Sequence, residues 1–223
     1  MPINKIVASP EAALEGVVDG SSILVGGFGG AGSPTSLLRH LAKLGLRGLT
    51  LISNNAGSGT DGLSELLASG SVARIICSYP RSTGSIVFDE LFKDGRIELE
   101  LSPQGSLTER IRAGGSGIPA FFTPTAAHTE LSEGKEHRRF GARDHVLEFA
   151  ISADFALLRA ERADRWGNLV YRKSARNFAP SMAMAGRVTV VEAQDIVPLG
   201  ALDPEMIITP GIFVQRVVQA DRT

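Results

Sequence analysis

Residues 19–34 read DGSSILVGGFGGAGSP, and this stretch decides the architecture. Three aliphatic residues, Ile23, Leu24 and Val25, run into a loop carrying Gly26, Gly27, Gly29, Gly30 and Gly32. Ser33-Pro34 then supplies the N-cap and first-turn signal of a helix. A short apolar run closed by glycine predicts a buried strand. The strand–loop–helix turn lets backbone N–H groups approach an anion at the helix N-terminus. Gly27, Gly29 and Gly32 also satisfy G-x-G-x-x-G, the dinucleotide spacing. A dinucleotide site further needs an acid about 20 residues on, ending the second strand, to hold the ribose hydroxyls. Here that strand ends in Ser53-Asn54-Asn55 and the first carboxylate beyond it is Asp61. The spacing is therefore incidental, and an NAD-dependent oxidoreductase is disfavoured.

The same alternation recurs outward from this unit. Ser9-Pro10 opens a first helix with Leu14, Val17 and Val18 as its buried stripe. Ser33-Pro34 opens the next, with Leu37, Leu38, Leu41 and Leu44 at helical spacing before Gly45. Leu49–Ser53 and Arg74–Ser78 read as strands, and 62–69 and Ser85–Lys93 as helices. Ile97, Leu99 and Leu101 alternate with Glu98 and Glu100 like a strand with one wet face. Pro103-Gln104-Gly105 reads as a turn before a short helix, Ser106–Arg112, that Gly114, Gly115 and Gly117 end. Beyond Ala120–Thr123, the polar segment 123–143 reads as a flap or hairpin insertion. Strands Phe155–Arg159 and Leu169–Arg172 flank a turn at Asp164–Asn168. A helix near Ser181–Ala185, the strand Val188–Glu192 and the apolar run Ile212–Val218 complete the chain. Strands alternating with helices of about ten residues predict an α/β fold, a mainly parallel sheet flanked by helices, in one domain over residues 1–223.

Composition narrows the partners. The net charge of −1 provides no basic field for nucleic acid. The single cysteine, Cys77, excludes an internal disulfide or a Cys-rich metal site, and at the end of an apolar strand it reads as a small buried hydrophobe. His128, His137 and His145 lack a compact ligand spacing, so no metal is expected. The opening MPINKIVASPEAALEG lacks the basic-then-apolar layout of a signal peptide, and no apolar run reaches the roughly 18–20 residues of a membrane span. A cytoplasmic protein without membrane or nucleic-acid partners is expected.

The whole Asp19–Pro34 string is more specific than its glycines: it resembles the signature of family I coenzyme A transferases. Further blocks, 49–57 (LTLISNNAG), 101–125 (LSPQGSLTERIRAGGSGIPAFFTPT), 163–178 (ADRWGNLVYRKSARNF) and 209–218 (TPGIFVQRVV), are similar, in order, to the A, or alpha, subunit of these enzymes. The resemblance implies a coenzyme A transferase-like fold and a reaction that moves CoA between carboxylic acids through a thioester on a glutamate. In the family that glutamate sits on the B, or beta, subunit in a Ser-Glu-Asn-Gly motif. This chain lacks the motif: Ser132-Glu133-Gly134 misses the asparagine and lies in the polar insertion. No catalytic residue is therefore expected here, and activity should need the B subunit, in an A2B2 heterotetramer. No permanently bound cofactor is implied; the coenzyme A thioester is a substrate.

By the same resemblance, Gly26, Gly27, Phe28, Gly29, Gly30, Ala31 and Gly32 approach CoA, and Asn54, Asn55 and Gln104 face the partner's glutamate. Neutral donors suit that place, because a carboxamide orients a reacting carboxylate without neutralising it. Tyr79 and Arg81 follow the third strand, at the end where α/β sheets bind ligands. Arg81 is a candidate clamp for the distal carboxylate of a dicarboxylic 3-oxoacid, since a guanidinium offers bidentate bonds. An exposed surface arginine is the alternative on spacing alone. The strings CSYPRSTGSIVFDELF (77–92), DRWGNLVYRK and TPGIFVQRVV look closer to transferases for 3-oxoadipate than to those for acetoacetate. Succinyl-CoA and 3-oxoadipate are thus the expected substrates, acetoacetate the alternative, and a non-catalytic CoA- or sugar-phosphate-sensing domain a more distant one. Arg172, Lys173 and Arg176 form a basic cluster that suits CoA phosphates, partner carboxylates or solvent equally.

Overall fold

The structure, a computed structural model, describes residues 3–221. The Ser9 hydroxyl accepts the Ala12 N–H and caps α1 (Pro10–Ala13). There follow β1 (Ser22–Val25), α2 (Thr35–Lys43), β2 (Leu49–Asn55), α3 (Leu63–Ala68), β3 (Val72–Tyr79), α4 (Ile86–Lys93) and β4 (Glu98–Leu101). The second half comprises α5 (Gln104–Gly115), β5 (Ala120–Thr123), β6 (His137–Phe140), β7 (Arg143–Phe149), β8 (Ala153–Ala163), β9 (Leu169–Val170), α6 (Ala179–Ala185), β10 (Gly186–Ile196) and β11 (Arg216–Gln219).

The main sheet runs in the order β11-β10-β8-β1-β2-β3-β4, with these neighbouring pairs parallel, and β9 joins antiparallel against β8. Helices cover both faces, which is why the central strands are apolar without alternation. Ile23, Val25, Leu51, Ile75 and Leu157 face the core shared with Leu37, Leu38, Leu41, Leu66 and Phe88. Leu24, Ile52, Ile76 and Leu158 face the opposite core, against Leu107, Ile111 and Met182. The polar insertion is a hairpin: β6 pairs β7, β7 pairs β5, and the three make a small antiparallel sheet. Arg110 of α5 ties it to the body by donating to the Phe149 carbonyl (2.9 Å) and to Glu100 (2.7 Å).

Several local expectations are corrected. Helix α5 does not stop at Arg112: Gly114 and Gly115 form its last two residues and let it pack closely. A Cβ on Gly114 would stand 2.1 Å from the Ile151 carbonyl oxygen, and one on Gly115 would stand 2.5 Å from Met184 Cβ. Gln104 is not in a turn but is the first residue of α5, and the Leu107 N–H already donates to Pro103 O. Val18 is exposed, because α1 ends at Ala13 and Gly16 turns the chain at φ +89°. Leu44, one residue past α2, is exposed as well. Ser33 does not cap α2; Pro34 occupies the cap position, and no side chain there bonds to the helix.

Candidate active site

Because these strands are parallel, their C-terminal ends share one edge of the sheet. Along it, from β1 to β4, stand the glycine loop (26–32), Asn54 and Asn55 at the end of β2, and Tyr79 at the end of β3 with Arg81 just beyond. Gln104 opens α5 immediately after β4, where the Ser102 N–H donates to Cys77 O at 3.0 Å. The fold therefore gathers every candidate site residue at one edge, the position where open α/β sheets bind ligands.

The two asparagines are held by local bonds. The Ser78 hydroxyl donates to Asn54 Oδ1 (2.8 Å) and to its backbone carbonyl (3.0 Å), and Asn55 Oδ1 accepts the Gly57 N–H (2.8 Å). Their carbonyl ends thus serve the fold, which fixes how each NH2 group is turned. Asn54 is buried, whereas Tyr79, opposite Asn55 in the register, is 62% exposed. Arg81 Nε donates to Asp89 at 2.5 Å, with its guanidinium 5.7 Å from the Phe92 ring centroid. Asp89 thus grips the Nε side and leaves the paired Nη edge for another carboxylate. Cys77 lies buried beneath this edge, and burial pushes its thiol up to about 12.

The glycine loop is pinned from distant parts of the chain. The Gly26 N–H donates to Leu157 O of β8 (3.0 Å). Phe28 and Ala31 exchange backbone bonds (3.0 and 3.1 Å) around a two-residue turn at Gly29-Gly30. Asn177 Oδ1 accepts the Gly27 N–H at 3.2 Å, and its Nδ2 donates to Ala31 O at 3.1 Å. Phe28 stacks on Phe178 with centroids 6.3 Å apart. Gly32, at φ +75°, has no room for a side chain: a Cβ would stand 2.4 Å from the Ala175 carbonyl oxygen.

The helix end behind the loop is already occupied. Glu192 of β10, fully buried, accepts the Leu37 N–H at 2.9 Å through Oε2, while its Oε1 accepts from Arg159 Nη1 at 2.9 Å. Desolvation raises its carboxyl to about 6, against the pull of the Leu37 amide and Arg159. The anion at the start of α2 is thus the chain's own carboxylate. A dinucleotide pyrophosphate at that helix end would have to face this buried carboxylate and compete with it for the Leu37 amide, which disfavours it there. Arg159 also donates to Gln194 (2.7 Å), and with Gly32, Tyr171 and Arg172 it lines a cleft of about 430 Å³ beside the loop.

Asn177, Glu192, Arg159 and Asp89 belong to no motif that marks them in the sequence. One signal is present: Glu192 is a lone acid in the apolar run 188–193, and an acid inside a buried strand must have a partner. Asn177 lies in the matched block 163–178 but has no spacing that distinguishes it.

The coenzyme A transferase family model matches residues 7–220. The chain is 58% identical over 97% of its length, and 94% of the relative's, to the A subunit of a 3-oxoadipate CoA-transferase from Pseudomonas putida. It is 49% identical over 96% of its length to the A subunit of a succinyl-CoA:3-ketoacid coenzyme A transferase from Xanthomonas campestris, covering 88% of that protein. Among solved structures, a glutaconate coenzyme A-transferase from Acidaminococcus fermentans superposes with a TM-score of 0.85 at 19% identity, over 96% of this chain and 75% of that one, and so shares the fold.

Proposed function

Since this chain belongs to the coenzyme A transferase family, we propose that it is the A subunit of a cytoplasmic enzyme that moves CoA from succinyl-CoA to 3-oxoadipate. It works as one domain with a B subunit, in an A2B2 heterotetramer. The observation that carries the substrate is the similarity itself: 58% identity to a protein named for 3-oxoadipate, against 49% to one named for 3-ketoacids. The second figure keeps acetoacetate as the alternative acceptor.

The chemistry divides between the chains. A glutamate of the B subunit directs its carboxylate at the thioester carbonyl of succinyl-CoA, releasing CoA thiolate and leaving a mixed anhydride. The thiolate then attacks the glutamyl carbon of the anhydride; succinate leaves and a glutamyl-CoA thioester remains. The same steps in reverse order deliver CoA to the 3-oxoacid. This chain's part is to orient these anions. Neutral NH2 groups on Asn54, Asn55 and Gln104 suit that role, because they stabilise developing oxyanions without pairing permanently with the nucleophile. Two carboxylates near this edge are already bonded within the chain, Glu192 by Leu37 and Arg159 and Asp89 by Arg81. The loop from Gly26 to Gly32 contributes backbone and the exposed Phe28 ring to CoA, and the Nη edge of Arg81 takes the distal carboxylate of 3-oxoadipate.

Co-expression with the B subunit tests the proposal. Neither chain alone should transfer CoA from succinyl-CoA; the pair should, with a borohydride-sensitive thioester on the partner's glutamate. Turnover by this chain alone would refute the split site.

A further inference from the structure

The glycine loop leads into α2 without a side-chain cap, because Pro34 occupies the cap position. A helix start normally satisfies its first amides with a nearby Ser, Thr, Asp or Asn. Here the acceptor is Glu192, 155 residues from Leu37 in sequence and two strands away from β1 in the sheet. Its other oxygen holds Arg159, whose second Nη is held by Gln194. Burying a carboxylate fully in a strand is costly, and a serine at the cap would have satisfied the helix more cheaply. What a local cap cannot do is fasten the loop's exit to β10 and hold a guanidinium in the wall of the cleft beside Gly32.

We propose that Glu192 is a positioning residue for the ligand-facing edge: by joining the Leu37 amide to Arg159, it sets where residues 26–32 stand and how Arg159 faces the adjoining cleft. The inference rests on the reading of this loop as a CoA-facing wall. Glu192 touches no substrate; it acts through the loop. The charged groups around it support the assignment. Arg159 on β8 is its counter-ion, and Glu161 and Arg172 line the same cleft. On α2, Arg39 pairs with Glu65 and Asp221, and the His40 ring lies against Glu11.

Glu192→Gln in the assembled heteromer tests this. A glutamine keeps the shape and can still accept the Leu37 N–H, but it turns an NH2 group toward Arg159, donor against donor. Amide hydrogen exchange of residues 26–37 should speed up about tenfold, with no change at 49–55, and KM for succinyl-CoA should rise about tenfold, with kcat per thioester-forming site within about twofold. Should Glu192→Gln fail to assemble, Glu192→Asp, one methylene short of bridging both partners, should give the same pattern. Unchanged KM and unchanged exchange over 26–37 in an active complex overturn the proposal, as does a uniform rise in exchange across the sheet, which would mark general destabilisation. A wild-type pair that transfers no CoA would instead refute the proposed function.

Discussion

Asn177 grips the glycine loop at two points: its Oδ1 accepts the Gly27 N–H at 3.2 Å, and its Nδ2 donates to Ala31 O at 3.1 Å. One carboxamide thus spans the two arms of the Phe28–Ala31 turn. Asn177→Asp keeps the acceptor for Gly27 but sets a carboxylate oxygen against the Ala31 carbonyl. The variant is expected to lose about 1–2 kcal/mol of stability in urea melts and to raise KM for succinyl-CoA in the complex. An unchanged melt would show that the second bond is dispensable.

Two loop glycines should respond differently to the same substitution. In Gly32→Ala the new Cβ would meet Ala175 O at 2.4 Å and Asn177 Nδ2 at 2.7 Å, in a backbone conformation of φ +75°. Gly30 has open space around it. Thermal melts should place Gly32→Ala more than about 2 kcal/mol below wild type and Gly30→Ala within about 0.5 kcal/mol.

Arg81 offers its Nη edge past the Asp89 contact. If that edge clamps a distal carboxylate, Arg81→Ala should cut kcat/KM for 3-oxoadipate about 10–100-fold, the scale of a lost charged hydrogen bond. Acetoacetate, whose single carboxylate must react, should be little affected. An equal fall with both acids, or none with either, removes the clamp from the proposed function.

The buried Glu192 gives stability a defined pH dependence. Its folded pKa of about 6 lies above the ordinary 4.5. Between those values the folded chain keeps a proton that the unfolded chain has lost. The group's contribution is therefore complete below about 4.5 and is lost as pH rises through about 6. Glu192→Gln cannot titrate, so from pH 4 to pH 7 the stability difference should move in the variant's favour by about 2 kcal/mol. Urea melts at the two pH values measure it; a constant difference contradicts the raised pKa.

Burial also silences Cys77. With its thiol pushed up to about 12 and no exposed surface, it should resist iodoacetamide at pH 8 in the native protein and react once the chain is unfolded. Mass spectrometry of the intact chain reads this directly.

Much of the fold is legible in the sequence because the relevant signals are local. Ile23–Val25 is an unbroken apolar run, and Leu49–Ser53 and Arg74–Ser78 are apolar at their centres, because their strands are covered on both faces; Ser9-Pro10 caps α1 as its spacing predicts. Where two local signals compete, tertiary packing decides. The Gly114-Gly115 pair reads as a break, yet lies within α5 because the helix must pass against Ile151 and Met184 without side chains in between. Pro103 likewise reads as a turn but precedes the first residue of α5, which places Gln104 at a helix start.

By itself, then, the stretch from Asp19 to Pro34 determined a buried strand, a glycine loop, a helix and, with the other blocks, the family. Only the tertiary structure decided what holds that loop. Its anchors, Asn177 and Glu192, lie 150 and 155 residues from the amides they bind. Apolar periodicity reports which side of an element is buried, and glycine reports where the backbone must turn. Neither records which distant polar group meets an unsatisfied N–H, because that pairing exists only once β8 and β10 are laid beside β1. The dinucleotide spacing fails in the sequence for want of an acid after β2; in the fold, a different acid fills the helix end that a phosphate would need.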